Sequence, residues 1–234
     1  MMYLGVLYNT FVCLISGFTG LSVFFTLRKM RKNRKVEYSE SLDYFLLLLG
    51  VLWSLVGARL FLVWLGVIDL ELFVYKWLVG PLTYIHLMPA FYYFGWSFFQ
   101  NKKKIYFLFV GFFTVMALSS VFFLFKNGFT RPELTYWGNN IVPNKISNQL
   151  FTFGIFIPAV PCIVIELFRR SSRWRKSKSL IEKQLLGFNF GLLIYAMTGF
   201  FEALVFAQGW QMLLVRIGIM LSPLIFYLSA TLET

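Results

Sequence analysis

Apolar residues in this chain come in blocks of about twenty, and one solvent suits a block of that length. As a helix rising ~1.5 Å per residue, it crosses the ~30 Å hydrocarbon core of a bilayer. Lipid offers no partner to a bare amide, so a spanning segment must satisfy its own backbone. Such blocks run at about 4–27, 43–67, 72–99, 105–125, 150–168, 185–206 and 212–232. The expectation is an all-α integral membrane protein, a single seven-helix transmembrane domain over residues 1–234. Composition agrees, since 59% of residues are apolar and 14% charged, whereas soluble domains carry roughly a quarter charged residues.

The formal charge of +12 raises nucleic acid as a partner, and its distribution argues against one. Sixteen of the 22 Lys and Arg residues fall in three clusters, Arg28 to Lys35, Lys102 to Lys104 and Arg169 to Lys183. Each lies between apolar blocks, and alternate connections lack them, which is the positive-inside pattern. Seven spans with these clusters inside place the N-terminus outside and the C-terminus in the cytoplasm, in a membrane of the bacterial cytoplasmic type. The first block starts almost at Met1 without a basic leader and reads as an uncleaved anchor inserted N-terminus outward. The bilayer is the expected partner, with the basic loops also placed to meet anionic headgroups.

Residues 126–149, with Gly128, Pro132, Gly138, Pro143 and Asn148 as turn formers, read as the long outer loop. A short outer turn is expected around Asp69 and Glu71, and Pro158 and Pro161 are expected to kink the fifth span. Cys13 and Cys162 sit in apolar segments as small hydrophobes. His86 is the only histidine, and without a second His or nearby Cys it makes no metal site. No cofactor is expected.

Ionisable residues inside spans are costly and are therefore functional candidates. Arg59, Lys76, Glu202 and Arg216 stand out, and counting from span ends puts them in the outer half. Lys76 has a second reading, snorkelling to the interface or pairing with Asp69 or Glu71, and Glu202 has one as a structural ion-pair partner of Arg216. Tyr195, Thr198 and Glu202 recur at i, i+3 and i+7 and share a face of the sixth helix. These residues, with His86, form the expected ligand-binding set. One carboxylate against three cations would favour an anionic or polar ligand. Sequence signatures of catalysis are missing: there is no G-x-S-x-G, H-E-x-x-H, phosphate loop or Cys-x-x-Cys. No catalytic residue is therefore assigned.

Seven spans invite comparison with rhodopsins and G-protein-coupled receptors. The seventh block has no lysine for retinal, and the third ends Tyr92-Tyr93-Phe94-Gly95-Trp96 without Asp-Arg-Tyr. A closer likeness is carried by Gly80-Pro81-Leu82-Thr83-Tyr84-Ile85, by Met88-Pro89-Ala90-Phe91-Tyr92-Tyr93-Phe94 ahead of Lys102-Lys103-Lys104, and by Arg169-Arg170-Ser171-Ser172-Arg173-Trp174-Arg175-Lys176 leading to Glu182-Lys183-Gln184-Leu185-Leu186. With these segments the chain resembles the seven-helix membrane input modules of bacterial histidine kinases and related regulators. That resemblance implies a sensor whose bundle binds a small ligand or senses the membrane and passes a helix movement to a cytoplasmic output domain; with the sequence stopping at Thr234, the expectation is either a separate output partner or a trimmed chain. Gly57-Ala58-Arg59-Leu60, Trp77 and His86 are also similar to pieces of prolipoprotein diacylglyceryl transferase. Its His-Gly-Gly and Gly-Arg-x-Gly-Asn-Phe signatures are missing here, so its activity is not carried over.

The leading expectation is a receptor-like sensor that binds a small polar, anionic or lipid ligand in the outer half. The rivals are a membrane enzyme acting on lipid-linked substrates, with Arg59, Arg216 and Lys76 on a phosphate and His86 or Glu202 moving a proton, and a small transporter or accessory subunit.

Overall fold

A computed structural model describes residues 4–33, 40–130, 133–205 and 210–231. Arg34, Lys35 and Glu37 lie outside the described residues, as does the side chain of Glu202. Ten α-helices are described: α1 Leu4–Asn33, α2 Glu40–Leu65, α3 Ile68–Val74, α4 Gly80–Ile85, α5 Met88–Phe99, α6 Lys103–Asn127, α7 Lys145–Phe151, α8 Ile157–Ser177, α9 Leu180–Val205 and α10 Trp210–Thr231. Among the described residues, five helical stretches are long and apolar enough to cross a membrane: Leu4–Lys29, Glu40–Leu65, Lys103–Asn127, Lys145–Ser177 and Leu180–Phe201, with Leu214–Ser229 shorter. The protein is thus all-α and membrane-embedded. Its outward surface fits that solvent: Phe107, Leu108, Val115, Leu118 and Phe122 on α6 and Tyr8, Phe11, Phe18 and Phe25 on α1 are all exposed.

The bundle closes on itself. Helix α1 packs between α2 and α10, α10 against α9, α9 against α8, and α5 against α2, α6 and α8. Where apolar side chains gain nothing by leaving lipid, close backbone approach decides association. Gly17, Gly20 and Gly50 supply it on the α1–α2 seam, where a Cβ on Gly20 would sit 3.1 Å from Gly50 Cα. A Cβ on Gly50 would meet the Leu21 backbone nitrogen and Cγ at 2.8 Å. Gly50→Leu is therefore expected to cost about 1–3 kcal/mol through overpacking, read as earlier thermal unfolding in mild detergent. Gly111→Leu is the matched control, because nothing lies within 4 Å of its Cβ position; equal losses for the two would refute the seam.

The expected third span is not one helix. It is α3, a π-helical turn at Tyr75–Val79, α4, a break at His86 and Leu87, then α5. Prolines explain both interruptions. Pro81 has no N–H for the preceding turn, and directly before it the Gly80 amide reaches back five residues to Tyr75 O. Pro89 does the same in the first turn of α5, where chain pairing restarts with Ala90 N–H on Leu87 O at 3.1 Å. The expected fifth span repeats the device. Helices α7 and α8 flank a second π turn, Thr152–Phe156, whose last amide bond runs from Ile157 to Thr152 O one residue before Pro158. Pro161 lies inside α8. An i→i+5 turn is how a membrane helix absorbs a proline without stranding carbonyls.

The expected outer loop, whose Pro132 lies outside the described residues, is ordered where it is described. Glu133–Thr135 and Gly138–Asn140 form an antiparallel hairpin. Its turn is held to the start of α1 by Asn9 Nδ2–H donating to Trp137 O at 2.9 Å. Asn144 caps α7 by accepting the Ser147 amide at 3.0 Å, and its Nδ2–H group donates to Phe123 O and Gly128 O at 2.8 and 3.1 Å. One side chain thus ties the loop to the end of α6. The expected turn at Asp69 and Glu71 is instead the short helix α3, with Glu71 fully buried.

Candidate functional site

A cavity of about 230 Å³ opens under this ordered loop, at the end of the bundle opposite the basic clusters. Helix α2 supplies Trp53 and Arg59, the first π turn, α4 and the break after it supply Tyr75, Thr83, Tyr84 and His86, α9 supplies Tyr195, and α10 supplies Arg216. Ile141, Val142 and Pro143 form the roof. The roof is itself pinned: Thr130 N–H donates to Val142 O at 2.9 Å, and the Phe129 ring meets Tyr75 edge-on at 5.3 Å.

Four of the seven expected site residues come together here. Arg59 donates from Nη1 to Glu71 Oε1 at 2.8 Å, with both side chains buried, and its guanidinium lies 5.4 Å from the Tyr75 ring centre. The Arg216 guanidinium stacks 4.8 Å above the Trp53 ring. His86 caps the broken end of α4: its Nδ1 lies 2.8 Å from Thr83 O. A carbonyl only accepts, so Nδ1 carries the proton, and Nε2 is left to accept the Tyr195 hydroxyl at 2.7 Å. The ring is completed by Phe45, which stacks near His86 and sits edge-on to Tyr195.

Lys76 and Thr198 lie elsewhere. Lys76 stands beside the Trp77 ring, Nζ 5.5 Å from its centre, away from the cavity wall. Glu71, one of the two carboxylates expected near it, is paired with Arg59. Thr198 donates to Ile194 O and Tyr195 O and presses its methyl group on Gly218 of α10, so it packs the helix pair. Glu202 belongs to the same helix, and its side chain lies outside the described residues.

A second polar cluster, absent from the sequence reading, sits at the basic end. Glu166 is fully buried. Its Oε1 accepts Arg170 Nε–H at 2.6 Å, Ser97 Oγ–H at 2.8 Å and Tyr93 O–H at 3.0 Å. Arg170 continues to Glu182 at 3.1 and 3.2 Å, Arg169 Nη1–H donates to Ser97 O at 3.0 Å, and Asn189 Nδ2–H donates to the Tyr93 oxygen at 3.3 Å. Two arginines face two carboxylates, so the cluster neutralises itself and locks α5, α8 and α9 together. Its sequence signal is Glu166 followed by Arg at i+3 and i+4, hidden because both arginines also belong to a topology-setting basic cluster.

An all-α membrane protein with a cavity under the ordered loop and a self-neutralising polar cluster at the basic end is the class these features define. Compared with family models, curated proteins and solved structures, the chain matches none.

Proposed function

We propose that this protein is a receptor-like signalling module of seven spans, N-terminus outside, which binds a small polar, anionic or lipid ligand in the outer half and passes a helix movement to a cytoplasmic partner. The observation that carries the reading is the cavity itself, where Arg59, His86, Tyr195 and Arg216 meet from separate segments. Positive-inside charge puts the basic end in the cytoplasm and the cavity toward the outside. Two elements reach from the cavity to the polar lock. Helix α9 carries Tyr195 to the first and Asn189 to the second, and the broken segment carries His86 to the first and Tyr93 to the second. Six or seven residues of helix separate the two levels, about 9–11 Å. A ligand that fits only one arrangement of these helices shifts the population toward it, and only by its difference in affinity.

The test starts with Thr83→Cys, a position on the cavity wall, with wild type reporting any background from Cys13 and Cys162. Membrane-impermeant thiol reagent is expected to modify it from outside intact cells. Hydrogen exchange across residues 169–183 is then expected to change in the modified protein. An unmodified Thr83→Cys sinks the outer-facing cavity, and modification without change at the basic end sinks the signalling role. Because a broken helix beside a cavity is also how transporters build a substrate site, reactivity from both sides would favour transport.

A further inference from the structure

We infer that the basic end of the bundle carries a site for one anionic phospholipid, its phosphate held by Arg169 and its chains lying on the adjoining span surface. The site is at the opposite end from the cavity and does not depend on it. Arg169 is the cation that the fold holds in place. Its Nη1–H groups donate to Ser97 O at 3.0 Å and reach Glu166 Oε2 at 3.5 Å, and its guanidinium lies 5.3 Å from the Phe98 ring centre. Even so, 33% of its side chain is exposed. Both hydrogen bonds leave from Nη1, so Nε and Nη2 remain to donate. A guanidinium already fixed loses little freedom when it takes a phosphate at two points.

More cations surround it. Arg173 and Lys176 follow at i+4 and i+7, on the same face of α8, and both are exposed. Five residues after Ser97 the chain reaches Lys102, across a turn closed by Lys102 N–H on Phe99 O at 2.8 Å. Lys102, Lys103 and Lys104 are exposed there, and among the described residues none of these five cations makes an ion pair. Residues 97–104 and 165–183 contain two carboxylates, Glu166 and Glu182, and Arg170 engages both. A zwitterionic headgroup would bring an ammonium for which these segments hold no uncommitted carboxylate. A headgroup of net negative charge meets the surplus without that repulsion.

The surface favours lipid over an acidic protein segment, because it changes from cation to hydrocarbon within one turn. Ile165 lies one turn further into the span than Arg169 on the same face and is 51% exposed, with Phe168 at 74%. On α6, Leu108 follows Lys104 at i+4 and is also 74% exposed. Phosphate above hydrocarbon is the profile of a phospholipid. Topology signalling requires only cations at this end; it does not require one to be held between a ring and a backbone carbonyl.

The experiment uses the full chain, stripped of lipid in mild detergent, with dioleoylphosphatidylglycerol as probe and dioleoylphosphatidylcholine as its zwitterionic counterpart. Native mass spectrometry counts bound lipid, and thermal unfolding follows its effect. Phosphatidylglycerol is expected to bind one molecule saturably and raise the unfolding temperature, with phosphatidylcholine at least about five-fold weaker. Arg169→Gln and Arg173→Gln are each expected to weaken phosphatidylglycerol at least about five-fold. The Arg173 side chain takes no part in the Glu166 cluster, so that variant decides should Arg169→Gln fold poorly. Arg175→Gln removes the same charge from a position about 120° round the helix and is expected to change binding less than about two-fold. Equal losses for Arg173→Gln and Arg175→Gln would mean a diffuse field and overturn the site. Equal binding of phosphatidylcholine overturns the anionic class, and equal protection by inorganic phosphate would assign the cations to a free oxyanion and overturn the lipid. Saturable binding of a polyglutamate peptide without a phosphatidylglycerol response would assign the patch to an acidic protein and also overturn it.

Discussion

Glu166→Ala is expected to cost about 3–5 kcal/mol, enough to unfold the basic end of the bundle in mild detergent. The reason is the loss of a shared acceptor. One carboxylate oxygen takes hydrogen bonds from Arg170, Ser97 and Tyr93. Without it Arg170, itself 5% exposed, keeps only Glu182 as a charged partner, and two buried hydroxyls lose theirs. Glu166→Gln keeps an oxygen at the same place and removes the charge, so its cost is expected to fall to about 1–3 kcal/mol. Unfolding of purified variants by heat or by a denaturing detergent measures both. If the alanine variant stays within about 1 kcal/mol of wild type, the cluster is decoration and not a lock.

The second large effect concerns the Arg59–Glu71 pair. Breaking it from either side, by Arg59→Met or Glu71→Leu, leaves an uncompensated charge in a buried place and is expected to cost about 3–5 kcal/mol. The double variant is expected to recover most of that loss, because two charges that no longer need desolvating are replaced by apolar groups. A double-mutant cycle gives the coupling directly. Additive losses would mean that Arg59 and Glu71 act independently, against the 2.8 Å contact between them.

Much of the architecture was legible because lipid is an exacting solvent. Five of the apolar blocks reappear as long apolar helices, and their side chains face outward as the hydrocarbon requires. The third block hid its structure behind its hydropathy. Lipid accepts any apolar run, so a hydropathy reading passes over Pro81 and Pro89, and these decide that the run is three helices and a π turn. Arg59, His86, Tyr195 and Arg216 stood out because a polar group in a span must face something other than lipid, and the fold brings the four to one cavity. Glu71 was not. It stands two residues after Asp69 and five after Gly66, in what reads as a solvated turn, and only the fold shows that α3 carries it inward. Glu166 was missed for the opposite reason: the arginines that hold it also serve as topology signals, and a charge near a span end looks like an interface residue. Trp53 illustrates a third limit, because the indole ring counts as apolar while here it receives the Arg216 guanidinium at 4.8 Å.

The two π turns set the angular phase of the cavity wall. Each widened turn holds one residue more than an α-helical turn, and one residue is worth about 100° of rotation about the axis. Deleting a single residue within Thr152–Phe156 would regularise that stretch and rotate α7 by about 100° relative to α8. Asn148 and Phe151, which now look into the cavity, would swing to a neighbouring face, and the Asn144 tie to α6 would lose its alignment. Side-chain identity would be untouched, yet the wall would be a different wall: in this bundle the aim of a side chain is set by a proline several residues further along the chain.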